Sequence, residues 1–220
     1  MPGLLLLLIA PPLPPDAAAR AAVERAIKAH GDPAKTARRR RVEAGTLDVA
    51  GKMVPFVRRV ACDLPHRLLH EAEVNGRVRT RLALDGDKGH QSDGGPAVAL
   101  LPPRLRELRD EAHAAWLATL VPLRRPEVTL KSGPGGVIAS HPGRPDVTLT
   151  FAADTGLLAA VRYRGQDGDV EHAFEGYKEI AGVKAATKET IRHDGRVRWS
   201  FAVSEQTFPP SLEASLFARP

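Results

Sequence analysis

The chain of 220 residues carries one cysteine, Cys62, which excludes an intrachain disulfide and any cysteine-rich zinc cage. Alternating with Phe56 and Val60 in a strand-like run, it reads as a small buried hydrophobe rather than a reactive thiol. Aromatic residues make up only 5%. The core must therefore rest on Leu, Val, Ile and Ala, with Trp116, Trp199 and the phenylalanines as its few large pieces. Long apolar runs are missing too. Leu4 to Ala10 is a run of seven residues, where a membrane-spanning helix needs about 20.

That short run, followed by prolines and Ala17-Ala18-Ala19, suits a secretory signal, although Met1-Pro2-Gly3 lacks the positive charge such a signal carries at its start. The expectation is a leader over residues 1–15 and an exported, periplasmic-type chain beginning between Ala10 and Ala22. A cytoplasmic address is the alternative. With 43% hydrophobic and 26% charged residues, the composition is that of a water-soluble globular chain, and the length suits one domain over residues 16–220.

The net charge of +6 favours anionic partners in general. The densest basic run is Arg38-Arg39-Arg40-Arg41, and other Arg and Lys alternate with apolar residues along most strands. This pattern reads as solvated sheet faces, Arg38–Arg41 being a solvated strand start, and not as a specific nucleic-acid surface.

Asp16 is placed to cap a first helix whose Ala19, Val23, Ala26, Ile27 and His30 share one face, stopped by Gly31 and Pro33. From Arg39 onward the apolar period changes from near 3.6 to 2. Four runs follow, with turns at Gly51-Lys52, Asp63-Leu64-Pro65 and Asn75-Gly76, the last a strong two-residue hairpin signal because both positions need positive φ. A second helix follows Pro102-Pro103, with Leu105, Leu108, Ala112, Ala115, Trp116 and Leu120 on one stripe and Arg104, Arg106, Glu107, Asp110 and Glu111 opposite. The strand pattern resumes past Pro126 and ends in the cleanest alternation of the chain, with Val197, Trp199, Phe201 and Val203 on one side. The predicted fold is mainly β (α+β): a curled antiparallel open sheet or half-barrel of about 10–11 strands, with two helices on its concave face.

No catalytic constellation emerges. His66 and His70 have helical ligand spacing but lie in a strand pattern, where four residues span about 13 Å, too far for one zinc ion. Ser132 to Gly136 resembles a phosphate loop but lacks the following Lys-Ser/Thr pair and helix. Ser140 and His141 are adjacent and so face opposite ways on a strand. A non-enzymatic domain without cofactor or metal is expected.

The C-terminal third carries a recognisable phrase: Asp154-Thr155-Gly156-Leu157-Leu158, then Tyr177-Lys178, Ile180 and Gly182-Val183 with Lys184 to Lys188 behind them, and finally Leu216-Phe217 and Pro220. Together with the order leader, helix ending in His30-Gly31, four strands, helix, remaining strands, it resembles the LolA-like carriers and sorting proteins of outer-membrane lipoproteins. Ala185-Ala186 departs from that pattern, which often has a proline before the Thr-Lys pair. The resemblance implies a half-barrel that shields acyl chains of a lipid or lipoprotein in an apolar cavity, working as a monomer between envelope donor and acceptor proteins. Ile27, Leu105, Leu108, Ala112 and Trp116 on the helices, facing Phe56, Leu82, Phe151, Trp199 and Phe201 on the strands, are the expected ligand-binding residues. The alternative is a non-enzymatic envelope interaction module with a packed core and a basic surface that binds anionic polymers or proteins.

Overall fold

The computed structural model describes residues 15–76 and 78–218, so the leucine run lies outside the described residues. Helix α1 (Pro15–His30) is followed by β1 (Arg38–Val49), β2 (Lys52–Asp63), β3 (Arg67–Val74), β4 (Val78–Asp85), β5 (Lys88–Ser92) and β6 (Val98–Ala99). Helix α2 (Pro102–Leu117) then leads to β7 (Thr129–Gly133), β8 (Gly136–Ser140), β9 (Val147–Phe151), β10 (Leu158–Gly165) and β11 (Gly168–Glu175). The chain continues through β12 (Lys178–Ile180), β13 (Val183–Ala185), β14 (Lys188–His193) and β15 (Arg196–Thr207).

Thirteen of these strands form one sheet, in the order β6-β5-β4-β3-β2-β1-β15-β14-β11-β10-β9-β8-β7. Nearly all neighbours are consecutive hairpins, while β1 pairs with β15 and joins the two arms of the meander. The edge strands β6 and β7 do not pair with each other. The chain between them forms α2, which packs against β4 on one arm and β10 on the other, so the sheet stays an open, mainly β half-barrel.

The fold has more strands than expected because short edge strands are added and one run divides. Lys88–Ser92 and Val98–Ala99, beyond the Asp85-Gly86 turn, pair as short edge strands. The stretch from Val183 to Arg192 does not form one strand but breaks at Ala186-Thr187. There the Thr187 hydroxyl donates to the Gly176 carbonyl at 2.6 Å, while its own carbonyl accepts from Val203 N. Upstream of that break, β12 and β13 form a separate ribbon, tied to the end of α1 by the Gly31–Val183 bridge.

Packing follows the predicted periodicities. Ala19, Val23, Ala26, Ile27 and His30 of α1 are all buried, and Cys62 is fully enclosed. Gly45 on β1 lies opposite Phe201 in register. A Cβ there would come within 2.0 Å of the Ser200 carbonyl oxygen, so only glycine lets β1 and β15 approach this closely. On the convex face the C-terminal segment folds back: Leu212, Leu216 and Phe217 cover Ala61, Leu69 and Ala83, and Arg81 Nη2 donates to the Leu216 carbonyl at 2.7 Å. The Leu216-Phe217 phrase thus serves as a hydrophobic strap across β2, β3 and β4.

Candidate ligand cavity and its charged wall

The concave face of the central strands is not uniformly apolar. The β1–β2 register places Arg41 opposite Val60 and Glu43 opposite Arg58. Strand alternation turns Arg39, Arg41 and Glu43 to the same side as Phe56, Arg58, Val60 and Cys62. This corrects the reading of Arg38–Arg41 as a solvated strand start. Arg38 and Arg40 are exposed, whereas the Arg41 side chain is only 14% exposed.

Glu43 is completely buried. Arg58 Nε donates to its Oε2 at 2.6 Å, and Arg41 Nε forms a close ion-pair contact with Oε1. Arg41 Nη2 also donates to Glu189 Oε2 on β14 at 3.1 Å, and His172 Nδ1 on β11 lies 2.7 Å from Glu189 Oε1. Charges this deep persist only when paired. Burial alone would raise the Glu189 pKa, but Arg41 and then the His172 hydrogen bond outweigh it and hold the carboxyl well below its usual range. Aromatic faces complete the cage. The Arg58 guanidinium lies 5.1 Å from the ring centroids of both Trp199 and Phe201, and Phe56 meets Trp199 edge-on at 4.9 Å.

Helix α2 reaches this cluster through Glu111, whose Oε1 lies 3.6 Å from His70 Nε2 on β3. The helical periodicity had put Glu111 on the polar face. That face turns partly inward here because α2 bridges the two arms of the sheet, which leaves Glu111 half-buried against β3. Burial pushes the Glu111 carboxyl up against the opposing pull of Arg58, His172 and Arg104, and burial together with Arg58 and Arg41 holds His70 well below the usual imidazole range.

Two cavities of about 130 and 140 Å³ flank the cluster, and both are bordered by Arg58, His70, Glu111, His172 and Ile191. These side chains form the wall between them. The first cavity is lined by Ala114, Ala115 and Ala118 of α2, by Val60, Leu68, Val161 and Ile191 of the sheet, and by Arg39, Lys184 and Gln206. The second is bordered by Leu82, Tyr163, Val170 and Trp199, with Arg104 and Glu107 above.

Of the ten residues expected to bind ligand, Leu82 and Trp199 therefore border a cavity. Ile27, Phe56, Leu108, Ala112, Trp116 and Phe201 are buried in the core, and Leu105 and Phe151 pack against it. They set the spacing of helix and sheet instead of facing either of these two spaces. The charged wall was missed, although its signal was in the sequence: Arg58 and His70 sit at apolar-face positions of otherwise clean alternations.

Four histidines give the fold a pH dependence. Burial is the largest cause in each case. It lowers His30, His70 and His193, and with the neighbouring His141 and Arg144 it pushes His113 down to about 4. The folded chain favours the neutral form of each, so their contribution is complete above the unfolded imidazole pKa of about 6.5 and is lost as pH falls below it. Glu111, shifted upward, offsets part of this loss once it binds its proton. The melting temperature is expected to hold between pH 8 and 7 and to fall by pH 5, where His113 alone costs about 2 kcal/mol. A thermal melt that is flat from pH 8 to 5 would contradict these burials.

No family model and no curated protein matches the sequence. Solved structures do match. A LolA superfamily protein from Nitrosomonas europaea aligns with a TM-score of 0.61 at 10% identity, covering 91% of this chain and 97% of its own. A domain provisionally assigned to outer-membrane lipoprotein sorting, from Vibrio parahaemolyticus, gives 0.54 at 10% identity over 90% of this chain and 97% of its own. A DUF1329 family protein from Desulfovibrio piger gives 0.52 at 9% identity over 91% and 97%. At such identities the likeness concerns the backbone, and it is nearly complete along the chain: this protein has the LolA-like fold, an open antiparallel half-barrel with two helices on its concave side.

Proposed function

We propose that the chain is a carrier or binding domain for a lipid or lipoprotein of the cell envelope, acting without catalysis and taking acyl chains between α2 and the sheet. The observation that carries this reading is the pair of interior cavities beneath α2, in a fold shared with a solved structure provisionally assigned to lipoprotein sorting. Each methylene buried there contributes roughly 0.8 kcal/mol. A space of about 130 Å³ is close to the roughly 150 Å³ cavity that takes one benzene molecule, far less than a long acyl chain needs. A full acyl chain therefore requires α2 to move off the sheet. The His70–Glu111 contact is part of what it must break, and its loss would join the two cavities.

Export goes with this reading, and the mature N-terminus is expected between Ala10 and Ala22; an intact Met1 on protein from its own cells would contradict it. The binding reading is tested by titrating a fluorescent fatty-acid probe. Saturable micromolar binding is expected, with competition by unlabelled fatty acid. A second reading, the packed interaction module, draws on the small volume of the same cavities and predicts no saturable binding.

A further inference from the structure

We propose that Arg39 and Lys184 form a subsite for the anionic head, carboxylate or phosphate, of an amphiphile whose chain lies in the cavity beneath α2. This rests on the carrier reading above and names the class of ligand for it. The first cavity has an apolar and a basic lining. Ala114, Ala115, Ala118, Val161 and Ile191 supply the first and Arg39, Lys184 and Gln206 the second, and the Pro33–Ala37 turn just before Arg39 packs on β13, which carries Lys184.

Arg39 and Lys184 differ from the cations of the charged wall. Arg41 and Arg58 are committed to Glu43 and Glu189. Arg39 has no acidic partner among the described residues. Its Nη1 donates to the Thr36 carbonyl at 3.3 Å, while its Nε is buried without a hydrogen-bond partner. Lys184 makes no ion pair with any described residue, yet its ammonium is close enough to His30 to help lower the imidazole pKa. Gln206 Oε1 is also buried and unpartnered, opposite Arg41 in register. An amide can turn its NH₂ group toward an anion.

Charge bookkeeping around the cavity points the same way. Its lining holds four cations, Arg39, Arg41, Arg58 and Lys184, against two carboxylates, Glu111 and Glu189. Adding Glu43 behind the wall still leaves an excess of one positive charge. A buried guanidinium Nε without a partner is costly, and an oxyanion with several lone pairs satisfies it with a charge-assisted bond. A neutral hydroxyl accepts the same hydrogen bond but leaves the excess charge unbalanced.

The test is competition against the fluorescent probe by dodecanoate, dodecyl phosphate and dodecanol, with acetate and inorganic phosphate as chainless anions. The anionic amphiphiles are expected to bind at least tenfold more tightly than dodecanol, and the preference should weaken as salt is raised. Arg39→Gln with Lys184→Gln should bring dodecanoate to the affinity of dodecanol. Lys184→Gln alone, at an exposed position where substitutions usually leave stability nearly unchanged, should lose part of the preference. Arg40→Gln, pointing outward, should retain all of it. Equal affinities for dodecanoate and dodecanol would overturn the head-group site while leaving the carrier reading intact. Tight binding of acetate or phosphate without gain from the chain would replace the amphiphile by a free anion. No binding of any amphiphile would overturn both readings.

Discussion

Glu43→Ala is expected to remove about 3–5 kcal/mol of stability, measured by urea unfolding at pH 7, because it strips the shared counter-ion from two buried guanidiniums. Arg58 loses its 2.6 Å hydrogen bond and stays trapped between Trp199 and Phe201, and Arg41 is left with Glu189 alone. The penalty is that of an uncompensated charge, not the worth of the pair. Replacing both partners, Glu43→Leu with Arg58→Met, should therefore recover most of the loss. Arg41→Gln should destabilise for the same reason, whereas Arg40→Gln on the opposite face should change stability by less than about 0.5 kcal/mol. A Glu43→Ala protein within about 1 kcal/mol of the parent would mean that the wall is hydrated and that the pairs are ordinary surface ones.

The second large effect concerns binding. Ala115 lines the first cavity, whereas Ala112, three residues earlier, is completely buried in the core. Ala115→Phe should fill much of the space beneath α2 and weaken fatty-acid probe binding at least tenfold, in a protein that still melts cooperatively. Ala112→Phe has no such space to enter. It should overpack the helix–sheet interface at a cost of about 1–3 kcal/mol. The two substitutions thus separate a hollow from a packed interior by which readout each one moves. If Ala115→Phe is as destabilising as Ala112→Phe and the parent binds no probe, the cavity is a packing irregularity and the interaction-module reading replaces the carrier.

The sequence made the architecture legible because alternation is a direct record of burial on one face of a sheet. Phe56, Val60 and Cys62 on β2 and the α1 stripe from Ala19 to His30 were read correctly on that ground alone. Turn chemistry placed the Asn75-Gly76 hairpin, where Asn75 does adopt positive φ. Short pairing segments were harder. The two-residue β6 has no period to detect, and the break between β13 and β14 depends on a hydroxyl bond from Thr187 to a carbonyl eleven residues away.

The candidate site was less legible, for a different reason. Apolar patterning finds what fills the core, so it selected Phe56, Leu108, Ala112 and Phe201, which pack against one another across helix and sheet. The cavities lie instead where charged side chains interrupt that pattern. Arg41 looked like one of four surface arginines because residues 38–41 are adjacent in sequence. Only the strand register, with Glu43 across from Arg58, shows that alternate members of the run turn inward. Glu111 could not be placed from helix periodicity, since a helix spanning the open side of a half-barrel packs against both arms and buries part of its polar face as well.

Native mass spectrometry of the full chain, gently extracted from its own cells, tests the central claim most directly. The carrier reading predicts a bound species with the mass of an acyl-bearing lipid or lipopeptide, released on mild activation and absent from Ala115→Phe, and the head-group site adds that this species is anionic. A parent protein that carries no adduct, and that acquires none on incubation with dodecanoate or dodecyl phosphate, would contradict it.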